Sequence, residues 1–286
     1  MLYDVRLCIS SDVFMSLHSS FLINGQPDQS ISPLDRGLAY GDGVFRTMRV
    51  TSGEPVCWTL HYAKLRSDCE RLNIACPVEP LLLADVRHLF ADAGGGVAKI
   101  TITRGQGERG YAANPQQVPT RIVMRAELPD YPQHHHDFGI AVHLCKIRLA
   151  HQPLLAGVKH LNRLENVLAR QEWSNPGISE GILLDEAGWI IEGIMSNIFI
   201  RSGKMLVTPD LSHCGVAGIT RQRIMESAPL LGYGVRVGHL SLPELMAADD
   251  VIMCNSLYGA WQVVSFNGKT WPVSALATNL RQILQD

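Results

Sequence analysis

Residues 128–136, Leu-Pro-Asp-Tyr-Pro-Gln-His-His-His, carry no hydrophobic period inside a chain that is otherwise patterned on both sides. Two prolines and a polar composition make this stretch an interdomain connection, so the chain reads as two modules rather than one continuous layer. The expected organisation is a leader over 1–20, a smaller N-terminal module over 21–128, a linker over 129–138 and a larger C-terminal module over 139–286. The three adjacent histidines are a solvated part of the linker, because consecutive residues seldom converge on one ion and no carboxylate pattern supports them.

The first module reads as α+β. A strand at 21–25 precedes a second at 44–50, and the turn Thr51-Ser52-Gly53-Glu54-Pro55 returns the chain into 56–59 as a hairpin. Leu65, Cys69 and Leu72 set a helical stripe over 61–72, a further helix covers 81–93 after Pro80, and strands follow at 97–103 and 121–125. The second module opens with a strand at 139–144 and a helix over 162–173. A meander of short strands follows at 181–184, 189–191, 197–201 and 205–208, then a helix at 219–231 and a buried strand at 251–254.

With 46% apolar and 18% charged residues, the chain can bury a substantial core, and a formal net charge of −2 offers no basic face to nucleic acid. No run is long enough to span a bilayer. Seven cysteines, scattered and never in a C-x-x-C pair, signal neither a disulfide framework nor a zinc site and read as reduced cytosolic thiols. Residues 1–20 hold Asp4 and Asp12 and lack a long apolar core, so they read as a disordered arm or an upstream start rather than a secretory signal.

Chemistry concentrates in the second half. Lys159 sits in an apolar approach, Gly157-Val158-Lys159-His160-Leu161-Asn162-Arg163-Leu164-Glu165, where scarce water favours the neutral amine that attacks an aldehyde. Gly215-Val216-Ala217-Gly218-Ile219-Thr220-Arg221 opens a helix behind glycine, exposing backbone N–H groups to an anion such as phosphate. Glu192 lies in Trp189-Ile190-Ile191-Glu192-Gly193-Ile194-Met195, where a carboxylate needs a partner: a pyridinium nitrogen, or an arginine such as Arg163 or Arg221. An imine-forming lysine, an anion-binding helix start and a buried carboxylate are what pyridoxal 5′-phosphate requires.

From residue 21 onward the chain resembles the fold type IV, or branched-chain-aminotransferase-like, pyridoxal-phosphate enzymes, which include the D-amino-acid aminotransferases. The resemblance rests on Asp35-Arg36-Gly37, Tyr40-Gly41-Asp42-Gly43-Val44-Phe45, the loop Arg104-Gly105-Gln106-Gly107-Glu108-Arg109-Gly110-Tyr111, the Lys159 motif, Glu192 with Ser196-Asn197, and Gly218-Ile219-Thr220-Arg221. It implies that Lys159 bonds to the cofactor aldehyde and Glu192 pairs with the ring nitrogen, with Asn197 also at the cofactor. Ile219, Thr220 and Ser256 would hold the phosphate, and Asn255 would touch cofactor or substrate.

Two departures stand out. The family's His-x-x-Arg-Leu phosphate arginine is replaced by Lys64 in His61-Tyr62-Ala63-Lys64-Leu65, with Arg66 as a substitute cation, and Arg46 stands where the family's lyases carry a small hydroxyl residue. Facing the site, Arg46 would attract a carboxylate substrate, joined by Arg104 and Arg109 of the glycine-rich loop.

The lysine motif and that loop resemble the lyases more than the aminotransferases. They imply a carbon–oxygen lyase of folate biosynthesis that converts 4-amino-4-deoxychorismate to 4-aminobenzoate and pyruvate. A D-amino-acid or branched-chain aminotransferase is the alternative, and a non-catalytic cofactor-binding protein a third reading. The resemblance further implies a cytoplasmic homodimer acting on a small molecule.

Overall fold

The structure, a computed structural model, describes residues 20–27, 29–114 and 116–285; the leader expected over 1–20 lies outside the described residues apart from Ser20. In chain order the first half comprises β1 (Phe21–Ile23), α1 (Arg36–Tyr40), β2 (Gly43–Thr51), β3 (Glu54–Pro55), α2 (Trp58–Arg71), α3 (Glu79–Leu89), β4 (Gly96–Thr103) and β5 (Thr120–Ala126). These strands form one antiparallel sheet ordered β1-β5-β4-β2-β3. In β2, Val44, Arg46, Met48 and Val50 are buried while Arg49 is exposed, the period of two expected of a strand covered on one face. Helices α2 and α3 close that face through Leu65, Cys69, Leu82 and Val86.

The hairpin expected after β2 is shorter than its sequence suggests. β3 is only two residues long, and Cys57, in the left-handed region at φ 55°, turns the chain directly into α2 at Trp58. Asp35 caps α1, accepting from Gly37 N at 2.8 Å and from Thr103 and Thr120 hydroxyls at 2.9 and 2.7 Å. The Asp35-Arg36-Gly37 motif is therefore a joint between α1 and two strands.

The second half comprises α4 (Gln133–Asp137), β6 (Ile140–Leu149), α5 (Leu164–Arg170), β7 (Ile178–Asp185), β8 (Ile190–Gly193), β9 (Asn197–Ser202), β10 (Met205–Pro209), α6 (Ile219–Ser227), β11 (Gly234–Gly238), α7 (Leu242–Ala247), β12 (Asp250–Asn255), β13 (Gly259–Phe266), β14 (Lys269–Thr270) and α8 (Leu276–Gln285). Its sheet runs β11-β10-β9-β12-β13-β6-β7-β8, with β14 attached to β13. β12 is covered on both faces, Val251 and Met253 facing one apolar cluster and Ile252 and Cys254 another, which is why its residues read as an unbroken apolar run. The helix expected over 219–231 ends at Ser227, and a 3₁₀ turn at Ala228–Leu231 follows, because Pro229 cannot donate to the α-helical ladder. The segment expected as a solvated linker contains α4, and the rings of His135 and His136 stand edge-on to Trp261 at 4.9 and 6.0 Å, so packing holds them. Among the described residues no helix is long and apolar enough to cross a membrane.

One short backbone pairing joins the halves. Phe45 N donates to Lys159 O at 2.9 Å and Leu161 N to Gly43 O at 3.0 Å, making residues 157–161 an extra segment along β2. On its other side, Gly157 N donates to Gly215 O at 2.9 Å and Ala217 N to Gly157 O at 3.2 Å. A Cβ on Gly43 would stand 2.5 Å from Ile102 O and 2.8 Å from Leu161 Cδ1, too close for the pairing to survive unmoved. Gly43→Ala is expected to destabilise the fold by roughly 1–3 kcal/mol in urea unfolding.

Candidate active site

Where the lysine segment meets the turn before α6, a cavity of about 310 Å³ opens between the two sheets. Lys159, Glu192, Asn197, Ile219, Thr220, Ser256, Asn255 and Arg46 all line it. Sequence-distant motifs thus converge because the ends of β8, β9 and β12 and the start of α6 meet at this opening, with β2 passing alongside through Phe45–Thr47.

Lys159 Nζ lies over the Phe45 ring, 4.7 Å from its centroid, and has no carboxylate bonded to it. Burial, with Arg46 adding to it, pushes its pKa down to about 8, so a substantial neutral fraction exists near physiological pH. Glu192 is buried and accepts from Val216 N at 2.8 Å, and burial pushes its carboxyl up to about 7. Neither arginine weighed as its partner bonds it. Arg163 donates to the carbonyls of His160 and Val158 at 3.0 and 3.4 Å, and Arg221 to Thr208 Oγ1 and Pro209 O at 3.0 and 2.9 Å. A buried carboxylate with only one backbone donor is suited to a ligand nitrogen.

Helix α6 has Gly218 as N-cap and no capping side chain, which leaves its first N–H groups, those of Ile219 and Thr220, facing the cavity. Thr220 Oγ1 lies 3.4 Å from Ser256 Oγ, adding two hydroxyls to that cup. Asn197 braces the turn, donating to Val216 O at 2.8 Å and accepting from Gly218 N at 3.1 Å. Its amide shapes the cup more than it faces a ligand. Asn255 behaves alike: it accepts from Leu257 N and Tyr258 N at 2.9 and 3.1 Å and donates to Met195 O at 3.2 Å, closing the β12–β13 turn.

Four expectations do not survive. Lys64 is outside the cavity wall, drawn onto Asp68 and donating to Gly157 O at 2.9 Å. Arg66 points to solvent, its side chain 61% exposed and 3.6 Å from Glu70. Arg104 is held by Asp42 at 2.7 Å and by the carbonyls of Leu72 and Asn73, both at 2.7 Å, and so ties a loop down. Arg109 is exposed, and neither it nor Arg104 lines the cavity. The glycine-rich loop is instead pinned by Arg36, which donates to the carbonyls of Gly110, Tyr111 and Ala112 at 2.9, 3.1 and 3.4 Å.

Asp68 was missed. Fully buried on α2, it accepts from Arg46 and from Lys64, and from Lys159 N at 3.3 Å, so two cations share one carboxylate beside Lys159. Arg46 does face inward, 3% exposed, with its Nε unpartnered. The period of α2 places Lys64 and Asp68 one turn apart, but nothing in that spacing points to Arg46.

The profile of the amino-transferase class IV family matches residues 43–266. An aminodeoxychorismate lyase from Vibrio harveyi is 32% identical over 266 residues, covering 91% of this chain and 98% of that protein. The crystal structure of 4-amino-4-deoxychorismate lyase from Pseudomonas aeruginosa superposes with a TM-score of 0.89 at 42% identity, over 93% of this chain and 98% of that one. A D-alanine aminotransferase from Listeria innocua is 26% identical, covering 88% of this chain and 90% of that protein.

In the unfolded chain Lys159 titrates near its ordinary 10.5 and in the folded protein near 8, so between these values the unfolded state binds more protons. This residue's contribution to stability therefore rises with pH across that window and is lowest below it. Lys159→Met in ligand-free protein is expected to melt a few degrees above the parent at neutral pH, with the gain shrinking as pH approaches 10.5 in thermal scans.

Proposed function

The chain belongs to the amino-transferase class IV family, whose enzymes work with pyridoxal 5′-phosphate in fold type IV, and we propose that it cleaves 4-amino-4-deoxychorismate to 4-aminobenzoate and pyruvate. The observation that carries this reading is a buried, unpaired lysine amine in one cavity with a buried carboxylate and an uncapped helix start. Those residues fit the cofactor. Lys159 would bond its aldehyde, Glu192 would meet its ring nitrogen, and the Ile219 and Thr220 N–H groups with the Thr220 and Ser256 hydroxyls would take its phosphate. When bound, the cofactor supplies an electron sink for charge developing at the carbon that bears the substrate amine.

The chain's own residues do the rest. Lys159, depressed toward neutrality by burial, removes the proton from the amine-bearing carbon. The electron pair left behind expels the neighbouring enolpyruvyl oxygen as its C–O bond breaks, and that fragment takes up a proton to become pyruvate while the ring becomes aromatic. Glu192, held by Val216 N with its pKa raised, can share a proton with a ring nitrogen without leaving an unpaired charge buried. The Phe45 ring beneath Lys159 excludes water from the amine. Arg46, inward-facing with a free Nε, is the group proposed to meet a substrate carboxylate.

An aminotransferase would use the same lysine, and relatives of that kind are more distant, as the 26% identity of the D-alanine enzyme illustrates beside 32% and 42% for the lyases. A cytoplasmic homodimer is part of the same proposal. Free thiols support the compartment, and the exposed apolar residues Leu34, Leu38, Tyr111 and Val118 around the Arg36-pinned loop support self-association. Light scattering that gave only a monomer mass would remove the dimer.

Purified protein loaded with pyridoxal 5′-phosphate and given aminodeoxychorismate is expected to release 4-aminobenzoate and pyruvate in equal amounts. Lys159→Ala should reduce that rate by at least about 10²–10⁴-fold. Absence of both products, with conversion of the cofactor to its pyridoxamine form by D-alanine or leucine, would reassign the chain to the aminotransferases. Arg46→Thr is expected to raise KM for the substrate about tenfold or more, with a smaller effect on kcat; an unchanged KM would remove its carboxylate role.

A further inference from the structure

The cup at the start of α6 lacks the cation that the His-x-x-Lys sequence of α2 was expected to bring. Lys64 is held by Asp68 and the Gly157 carbonyl, and Arg66 points to solvent. Two backbone N–H groups and two hydroxyls can bind a phosphate dianion, but they leave its charge uncompensated.

A second cavity, about 480 Å³, adjoins the first and shares His61, Tyr131, Ile219, Thr220, Asn255, Ser256 and Leu257 with it. Its charged lining is Arg49, Arg223 and Arg281 against Asp130, a net positive wall beside Thr220 and Ser256. Arg281 is engaged with the carbonyls of Ala260 and His136 at 2.8 and 3.2 Å. Arg223 is half-buried on the second turn of α6 and bonds no other described residue. Helical side chains lean toward the N-terminus, so the Arg223 side chain, four residues after Ile219, is on the same face as the start of the helix and lines the same cavity as Thr220 and Ser256. Next to it stands His61, 4% exposed, its Nδ1 without a partner, lining both cavities. Burial pushes the His61 pKa down to about 3, with the nearby charges of Arg46, Arg223 and Lys159 adding to it, so His61 offers a neutral hydrogen bond and leaves the charge to Arg223.

We propose that Arg223 of α6, with His61 beside it, is the cation of the phosphate cup, replacing the arginine that α2 lacks at Lys64. Helix α6 thereby supplies both the opening N–H groups of the cup and, through its fifth side chain, the cation, with Ser256 and His61 added from other elements. Of the arginines that line the first cavity, Arg46 already has a carboxylate in Asp68 and Arg163 is held by the carbonyls of His160 and Val158, whereas Arg223, lining the adjoining cavity, has no such partner among the described residues. This inference rests on the cofactor assignment above and concerns which residue holds its phosphate end.

The test is equilibrium titration of cofactor-free, full-length protein, read by tryptophan fluorescence, with three probes: pyridoxal 5′-phosphate, pyridoxal without its phosphate, and inorganic phosphate. Arg223→Gln is expected to weaken pyridoxal 5′-phosphate by about tenfold to a hundredfold and to weaken inorganic phosphate, with pyridoxal unchanged. Arg223→Lys should recover part of the loss, and Lys64→Met should stay near the parent. Unchanged phosphate-ester binding in Arg223→Gln overturns the proposal, as does an equal loss for pyridoxal, which would mark a merely structural role. A phosphate-specific loss in Arg46→Thr but not in Arg223→Gln overturns it in favour of β2. Failure of the parent to bind any of the three probes would overturn the cofactor assignment itself, a result distinct from an Arg223 variant that matches a binding parent.

Discussion

Everything at the site depends on the backbone of residues 157–161 being paired on both sides. Its bonds to Gly43 and Phe45 on one flank and to Gly215 and Ala217 on the other fix the Lys159 Cα between two sheets without using the lysine side chain. Main-chain pairing is stiff and indifferent to residue type, so the root of the lysine is fixed without any bond to its amine. Val158, one residue earlier, is buried in the core of the first sheet, which makes the lysine segment belong to both halves of the molecule.

That anchoring imposes an electrostatic cost. Arg46 and Lys64 share Asp68 beside Lys159, and burial depresses the pKa of all three cations. Across the cavity, Glu192 is raised by the same cause. Opposite shifts in one cavity are the signature of a site whose charges await a ligand. Glu180, by contrast, is also raised to about 7 by burial yet accepts from Ser196 Oγ and two backbone N–H groups, and it braces the β7–β8 end of the sheet. Three donors around Glu180 against one at Glu192 separate a carboxylate bound up in the fold from one left open to the cavity.

Lys159, Glu192, Ile219 and Thr220 could be singled out in the chain because each sits in a short contiguous motif whose chemistry is local: an amine in an apolar run, a carboxylate among isoleucines, a glycine-led helix start; Ser256 came only from the family resemblance. The facing of Arg46 was left open by the strand pattern, since a shift of one residue in register would turn it outward. Lys64 and Arg104 lie away from the cavity for one common reason. A cation's role depends on the nearest carboxylate or carbonyl, and Asp68, Asp42 and the loop carbonyls are brought to those side chains only by packing. The segment from 234 to the end, with β11, α7, β13, β14 and α8, drew no reading beyond the strand at β12, since its short strands lie inside a sheet whose order is set by distant neighbours.

Local pattern was enough to single out the buried lysine, the buried carboxylate and the glycine-led helix start that line one cavity, because periodicity and a helix start are written in consecutive residues. Which cations face the cavity was a matter for the folded chain. Asp68 draws Lys64 away, α6 carries Arg223 to the side of Thr220, and His61 closes between the two cavities. Charge acts through space over a few ångströms, and the folded chain alone determines which residues those ångströms separate.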